Sequence, residues 1–111
     1  MGMRCVVKVN FPVENGNEAA LNGTLGSTIE SILNELKPEA AYFTAEKGRR
    51  GGFIIVDMKD SSQIPAIAEP WFLAFNAEIE ILPCMNIEDL KKAAPGIERS
   101  VKQFRSMKRA A

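Results

Sequence analysis

The sequence predicts a single α+β domain built on a four-stranded antiparallel sheet, with its elements in the order βαββαβ. Three observations lead to this fold class. Four segments show strand-like alternation or short β-branched apolar runs, two longer segments with helical apolar spacing lie between them, and glycines and prolines mark the boundaries. The 111 residues fit one domain, which we place at residues 1–111, with a core at 3–85 and a helical extension at 86–111.

The first half of the chain predicts one strand and one long helix. In residues 3–11 the odd-numbered side chains are apolar and the even-numbered ones mostly polar, as in a strand with one dry face. Pro12 and the cluster at residues 15–17 are expected to end this strand, and Asn17 to cap a helix over residues 18–36. The apolar stripe of this helix consists of Leu21, Leu25, Ile29, Ile32, Leu33 and Leu36.

A β-hairpin is predicted next, from strands at residues 40–47 and 53–58. The glycine-rich residues 48–52 between them are expected to form its turn, because glycine readily adopts the positive φ that hairpin turns need. Residues 53–56 are all apolar, which predicts that this strand carries apolar side chains on both faces of the sheet.

The rest of the chain predicts a second helix, a fourth strand and a helical C-terminus. Asp60 is the expected cap of the second helix, Pro70 is expected to kink or divide it, and Asn76 to end it. The fourth strand covers residues 77–83, and further helices are predicted at 87–94 and 97–107, separated by Pro95-Gly96. The apolar side of the second helix comprises Ile64, Ile67, Ala68, Trp71, Phe72 and Phe75.

Charges on the outer strands support a ferredoxin-like arrangement, in which the first and last strands are antiparallel neighbours. Arg4 and Lys8 lie on the polar face of the first strand, and Glu78 and Glu80 on the polar face of the last. Opposite charges on neighbouring strands stabilise their pairing. We therefore expect these two pairs of residues to face each other.

Composition excludes several kinds of chemistry. The sequence has no histidine, which removes the commonest metal ligand and the commonest general base at neutral pH, and no paired-cysteine motif. We expect no haem, transition metal or other cofactor. Cys5 and Cys84 are predicted to be reduced and on opposite faces of the sheet; with no signal-peptide or membrane-spanning pattern, this predicts a cytoplasmic protein.

Charge is balanced overall but uneven along the chain. The 14 basic and 14 acidic residues cancel, while residues 98–111 contain five basic residues and one acidic residue. We interpret this basic segment as a solvated helix face, with weak nucleic-acid binding or a lipid surface as alternatives. Specific RNA recognition is not expected, because glycine and valine stand where an RNA-recognition motif of this strand order carries its stacking rings.

A small-molecule pocket is the functional hypothesis that the residues favour. Aromatic side chains cluster on the second helix, where they are either part of the core or the lining of a pocket, since pockets are typically apolar clefts with a few polar groups. Lys8 and Tyr42 are the only candidate acid–base groups other than carboxylates, and neither has an evident activating partner in the sequence. The candidate ligand-binding residues are Lys8, Asn10, Tyr42, Arg50, Trp71 and Phe72.

Two segments, RRGGFIIVD at residues 49–57 and EPWFLAFNAEIEILPCM at 69–85, carry a resemblance to a known superfamily. Residues 4–85 resemble small members of the dimeric α+β barrel superfamily, close to muconolactone-isomerase-like and antibiotic-biosynthesis-monooxygenase-like domains. The resemblance implies a cofactor-free isomerase or monooxygenase; the alternative is a non-catalytic module for ligand sensing or assembly. It carries no catalytic motif, so no catalytic residue is assigned.

A homodimer is expected as well. The apolar groups on both faces of the third strand, together with Val6 on the polar side of the first, would leave an exposed apolar patch on a monomer. A second copy of the same patch would cover it. The predicted interface residues are Val6, Phe53 and Ile55.

Overall fold

The computed structural model describes residues 2–110, with side chains described through residue 105. It shows an α+β fold with one four-stranded antiparallel sheet. The strands are β1 (Met3–Asn10), β2 (Ala40–Glu46), β3 (Arg49–Met58) and β4 (Glu78–Pro83), in the spatial order β2-β3-β1-β4. The first and last strands are therefore antiparallel neighbours, as the sequence predicts.

Helices α1 (Val13–Leu21), α2 (Leu25–Leu36) and α3 (Ile64–Phe75) lie on one side of this sheet. The alternation predicted for β1 is confirmed, because its odd-numbered residues from Cys5 onward are buried in the core together with Phe11. The helices contribute Ile32, Ile67, Trp71 and Phe75 to the same core.

The prediction of a single helix over residues 18–36 is wrong. Helix α1 already begins at Val13, so Asn17 lies inside it and does not cap it, and Gly23 breaks the helix with a φ of 77°. Gly16 is buried, and a Cβ there would lie 3.1 Å from Arg50 Nη1, so glycine lets α1 approach β3 closely. The break also redirects α1, which leaves Leu21 89% exposed and outside the apolar stripe.

The hairpin turn is shorter than predicted. Lys47 and Gly48 form it, with φ values of 54° and 76°, and Glu46 pairs directly with Arg49. Positive φ at both central residues is typical of the two-residue type I′ turn, whose twist matches that of the flanking strands. Gly51 and Gly52 therefore belong to β3 and not to the turn.

The second predicted helix begins with a 3₁₀ turn, Ser61–Gln63, before α3. Asp60 caps this turn by accepting a hydrogen bond of 2.9 Å from the Ser62 backbone N–H. Pro70 lies inside α3 and does not divide it. Asn76 ends the helix, as predicted, and has the left-handed conformation with a φ of 53°. Ile64 and Phe72, which the sequence places on the apolar side of this helix, are exposed and do not belong to the buried side.

The C-terminal helix α4 (Ile87–Ala110) runs through Pro95-Gly96, where the sequence predicts a break. Proline leaves the carbonyl four residues earlier, that of Lys91, without its helical donor, and on an exposed helix water can bond it. Lys108 and Arg109, which contribute to the predicted basic face, fall outside the residues whose side chains are described.

The charged rows on β1 and β4 are adjacent, but their ion pairs are not those predicted. Lys8 lies opposite Glu80 in the register, yet its ammonium group is 3.0 Å from Glu46. Arg4 pairs with Glu39 at 2.9 Å and Glu78 with Arg49 at 3.8 Å. These partners come from other parts of the fold, so strand pairing alone does not select them.

Candidate functional site

The sheet surface that faces away from α1, α2 and α3, here called the outer face, carries a continuous group of apolar side chains. In the register of the strands, Val6 lies between Ile55 and Leu82, and Phe53 lies next to Tyr42. We call these five residues the apolar patch. Val6, Phe53 and Ile55 are half-buried, and Tyr42 is 67% exposed.

Next to the apolar patch, where Lys8 lies opposite Phe53 in the register, is an open cleft of about 540 Å³, here called the charged cleft. Strands β1, β3 and β4 and the end of β2 contribute side chains of both signs to it. The residues that matter for its chemistry are Lys8, Asn10, Glu46, Arg49, Glu78 and Glu80.

Two ion pairs organise the charged cleft. Lys8 Nζ lies 3.0 Å from Glu46 Oε1, and Arg49 Nη1 lies 3.8 Å from Glu78 Oε1. Arg49 Nη1 is also 3.4 Å from the side-chain oxygen of Asn10, to which it donates a hydrogen bond. With Glu80 opposite Lys8, the cleft presents donors and acceptors in near balance and suits a polar group on a small molecule better than a large anion or cation.

A second cleft, of about 670 Å³, lies at the other end of the sheet around Arg4. Arg4 forms ion pairs with Glu39 at 2.9 Å and with Asp89 of α4 at 3.8 Å. The hydrogen bond and the charge of Glu39 raise the pKa of Arg4 above its usual value. These contacts hold the first turn of α4 against β1, which gives Arg4 a structural role.

The six predicted ligand-binding residues do not converge on one site. Lys8 and Asn10 lie in the charged cleft and Tyr42 at the apolar patch. Arg50 instead lies toward α1, where it donates a hydrogen bond of 2.8 Å to the Asn17 side chain. Trp71 and Phe72 lie on α3, on the helix side of the sheet.

Trp71 is completely buried, with an exposure of 0%, while Phe72 is 39% exposed. The Trp71 indole lies in an aromatic cluster with Phe11 and Phe75, at ring-centroid distances of 6.1 and 6.5 Å. Its Nε1 group has no hydrogen-bond partner among the described residues. In this position Trp71 contributes to the core.

The three predicted interface residues, by contrast, are neighbours on the outer face. Val6 is directly opposite Ile55, and Phe53 is two residues from Ile55 on the same face. Glu46, Arg49 and Glu78 were not among the predicted site residues. The signal that could have identified Arg49 is Lys47-Gly48, since a two-residue turn there starts β3 at Arg49 and directs its side chain to the outer face.

Within residues 2–110, no helix is both long and apolar enough to cross a membrane. The described part of the chain also contains no group of three or more histidine, cysteine, aspartate or glutamate side chains that could hold a metal ion. Both cysteines are free: Cys5 is buried and Cys84 half-buried.

Comparison with known proteins yields a family assignment and no individual relative. No curated protein and no solved structure matches the sequence. Residues 3–97 match the family model described as a domain of unknown function, DUF3303. The match extends from β1 into the first half of α4 and covers most of the 111 residues. The chain therefore belongs to the DUF3303 family.

Proposed function

We propose that this protein is a ferredoxin-like homodimer that pairs two outer faces into an α+β barrel and binds a small, mostly apolar organic molecule between them. The observation that carries this proposal is that the apolar patch and the charged cleft lie side by side on one sheet surface. Two split βαβ units and the strand order β2-β3-β1-β4 support the ferredoxin-like assignment.

The exposed apolar surface supports pairing through the outer face. An antiparallel sheet with helices on one side normally shows a polar face to water on the other. Here Tyr42 and Leu82 are exposed beside the half-buried Val6, Phe53 and Ile55. A second copy presents an identical patch, and a two-fold axis would bring the two patches together.

The ligand class follows from the two parts of the outer face. The apolar patch would bind the body of the molecule, while Lys8, Asn10 and Arg49 at the cleft could donate hydrogen bonds to a hydroxyl or carbonyl group. Hydroxylated aromatic compounds and lactones have this composition. The proposal is one of binding, and turnover is tested separately.

The dimer can be tested by measuring molecular mass with light scattering over a dilution series. We expect an assembly larger than the 12.2 kDa monomer. Replacing both Phe53→Asp and Ile55→Asp should raise the dissociation constant, because charged groups would be buried without partners. Leu73→Asp, which alters an exposed residue on α3, is the matched control and should leave the constant unchanged. A monomer at micromolar concentration would contradict the proposal.

Ligand binding can be tested by calorimetric titration with a panel of hydroxylated aromatics and lactones, and by native mass spectrometry of the purified protein. Saturable binding that is weakened by Lys8→Met and by Phe53→Asp, but not by Leu73→Asp, is expected. Binding that all three variants retain would place the ligand elsewhere. Product formation from the same panel would distinguish an enzyme from a binding module.

A further inference from the structure

Helix α4 carries an apolar seam with a regular heptad spacing. Its apolar residues are separated alternately by three and four positions, which is the a/d pattern of a coiled coil. The five larger side chains of the seam are between 43% and 63% exposed. The seam residues are Ile87, Leu90, Ala94, Ile97, Val101 and Phe104.

The protein's own sheet does not cover this seam. The radius of gyration is 18.6 Å, whereas a compact chain of this length has about 13 Å. The longest dimension is 61 Å, and 24 helical residues span about 36 Å. Helix α4 thus extends away from the body, and its Asp89 contact with Arg4 lies in the first turn.

We propose that α4 pairs with α4 of a second copy of this chain as a short antiparallel coiled coil. This inference concerns a different surface from the proposed ligand site and does not rest on it. With Ile87, Ala94 and Val101 at a positions and Leu90, Ile97 and Phe104 at d positions, the register with the greatest overlap is unique. It places Ile87 against Phe104, Leu90 against Val101 and Ala94 against Ile97, each twice by symmetry.

Charges beside the seam select the antiparallel orientation. Lys91 and Glu98 both occupy e positions, which face each other across an antiparallel pair, and the register above brings Lys91 of each copy to Glu98 of the other. On the other flank, Ala93 and Ser100 at g positions are small and allow close approach. A parallel pair would form neither ion pair and would bring the basic C-terminal halves of both helices, which carry Arg99, Lys102 and Arg105, to the same end.

The two helix-breaking residues are compatible with this pairing. Pro95 and Gly96 occupy b and c positions, which face solvent in a two-stranded coiled coil. A Cβ on Gly96 would meet nothing within 4 Å, so that side of the helix is open. The seam therefore continues past Pro95 without interruption.

A charge-swap series tests the pairing and its orientation in the full chain. Lys91→Glu and Glu98→Lys should each raise the dissociation constant several-fold, since each places like charges together at two symmetric points. The double variant K91E/E98K should restore the wild-type constant. Lys92→Glu makes the same charge change off the seam and serves as the control. We expect the same pattern in the F53D/I55D background. There the sheet contact is weakened, so association through α4 is measured independently of the proposed sheet dimer.

Disulfide trapping gives a second readout. With Cys5→Ala and Cys84→Ser as background, a Leu90→Cys variant mixed with a Val101→Cys variant should form the mixed disulfide, while each alone should not cross-link. Homodisulfides of Leu90→Cys would indicate parallel helices and overturn the proposal. The proposal would also be overturned if neither single charge variant changed the dissociation constant while circular dichroism showed the same helix content. Seam-dependent binding to phosphatidylserine vesicles without self-association would assign the seam to lipid instead.

Discussion

Lys8 on β1 pairs with Glu46 on β2 at 3.0 Å, although β3 lies between these two strands. Gly51 lies between Asn10 and Thr44 in the register and has no side chain, and a Cβ there would collide with the backbone carbonyl of Val9. Lys8 can therefore cross the sheet over Gly51. This ion pair ties the hairpin end to the central strand at the floor of the charged cleft.

We expect the Lys8–Glu46 pair to contribute about 0.2–1 kcal/mol to stability, because both side chains are about a third exposed and screened by water. A double-mutant cycle with Lys8→Met and Glu46→Gln, measured by urea unfolding, gives this coupling energy. The coupling should shrink in high salt. The pair Lys91–Glu88 on α4, at 3.7 Å and more exposed, is a comparison that should give less.

Trp71→Ala should destabilise the protein by about 3–5 kcal/mol, because the indole is fully buried beside the stacked rings of Phe11 and Phe75. Trp71→Phe should cost less, since it leaves a smaller cavity and removes the Nε1 group that has no described partner. Phe72→Ala, one residue along and 39% exposed, is the control and should cost least. A Trp71→Ala variant that unfolds within a degree or two of wild type would refute the burial of this side chain.

Stability should fall at low pH in part through Asp60. Hydrogen bonds from the Ser62 hydroxyl and then from its backbone N–H hold the pKa of the Asp60 carboxyl below its usual value of 3.8. A carboxyl with a lowered pKa in the folded state stabilises the fold above its unfolded pKa, and this contribution is lost as pH falls through the folded pKa.

Thermal unfolding from pH 7 down to pH 2.5 measures this effect. Asp60→Asn keeps an acceptor oxygen but does not titrate, so its melting temperature should decline less steeply below pH 4 than that of the wild type. Ser62→Ala removes the larger cause of the shift and should also flatten the decline. Identical slopes in all three proteins would show that Asp60 contributes nothing to the pH dependence.

The two cysteines should react at very different rates with a thiol reagent. Burial, followed by the proximity of Cys84 and Asp57, raises the pKa of Cys5, so it is both inaccessible and protonated at neutral pH. Cys84 is half-buried and should label first. Mass spectrometry after iodoacetamide treatment can count the modified residues, and Cys84→Ser should abolish the fast phase. Rapid labelling of Cys5 in the folded protein would indicate that the core opens readily.

Much of the fold could be predicted because it depends on short-range periodicity. Alternation in β1 predicts which side chains enter the core, and helical spacing places Trp71 and Phe75 on the buried side of α3. Less of the candidate site can be predicted from the sequence. The sequence predicts Lys8 and Asn10, but it favours Arg50 where Arg49 occupies the cleft, because the hairpin turn has two residues and not five.

The sequence by itself determined the four strands and their order along the chain, the dry face of β1 and three apolar residues of the outer face, Val6, Phe53 and Ile55, since these follow from neighbours along the chain. Only the tertiary structure decided that Lys8 reaches Glu46 across β3, that the break at Gly23 turns Leu21 outward, and that α4 leaves its apolar seam uncovered. Such outcomes depend on contacts between residues far apart in sequence, which strand register and helix direction set and local periodicity does not contain.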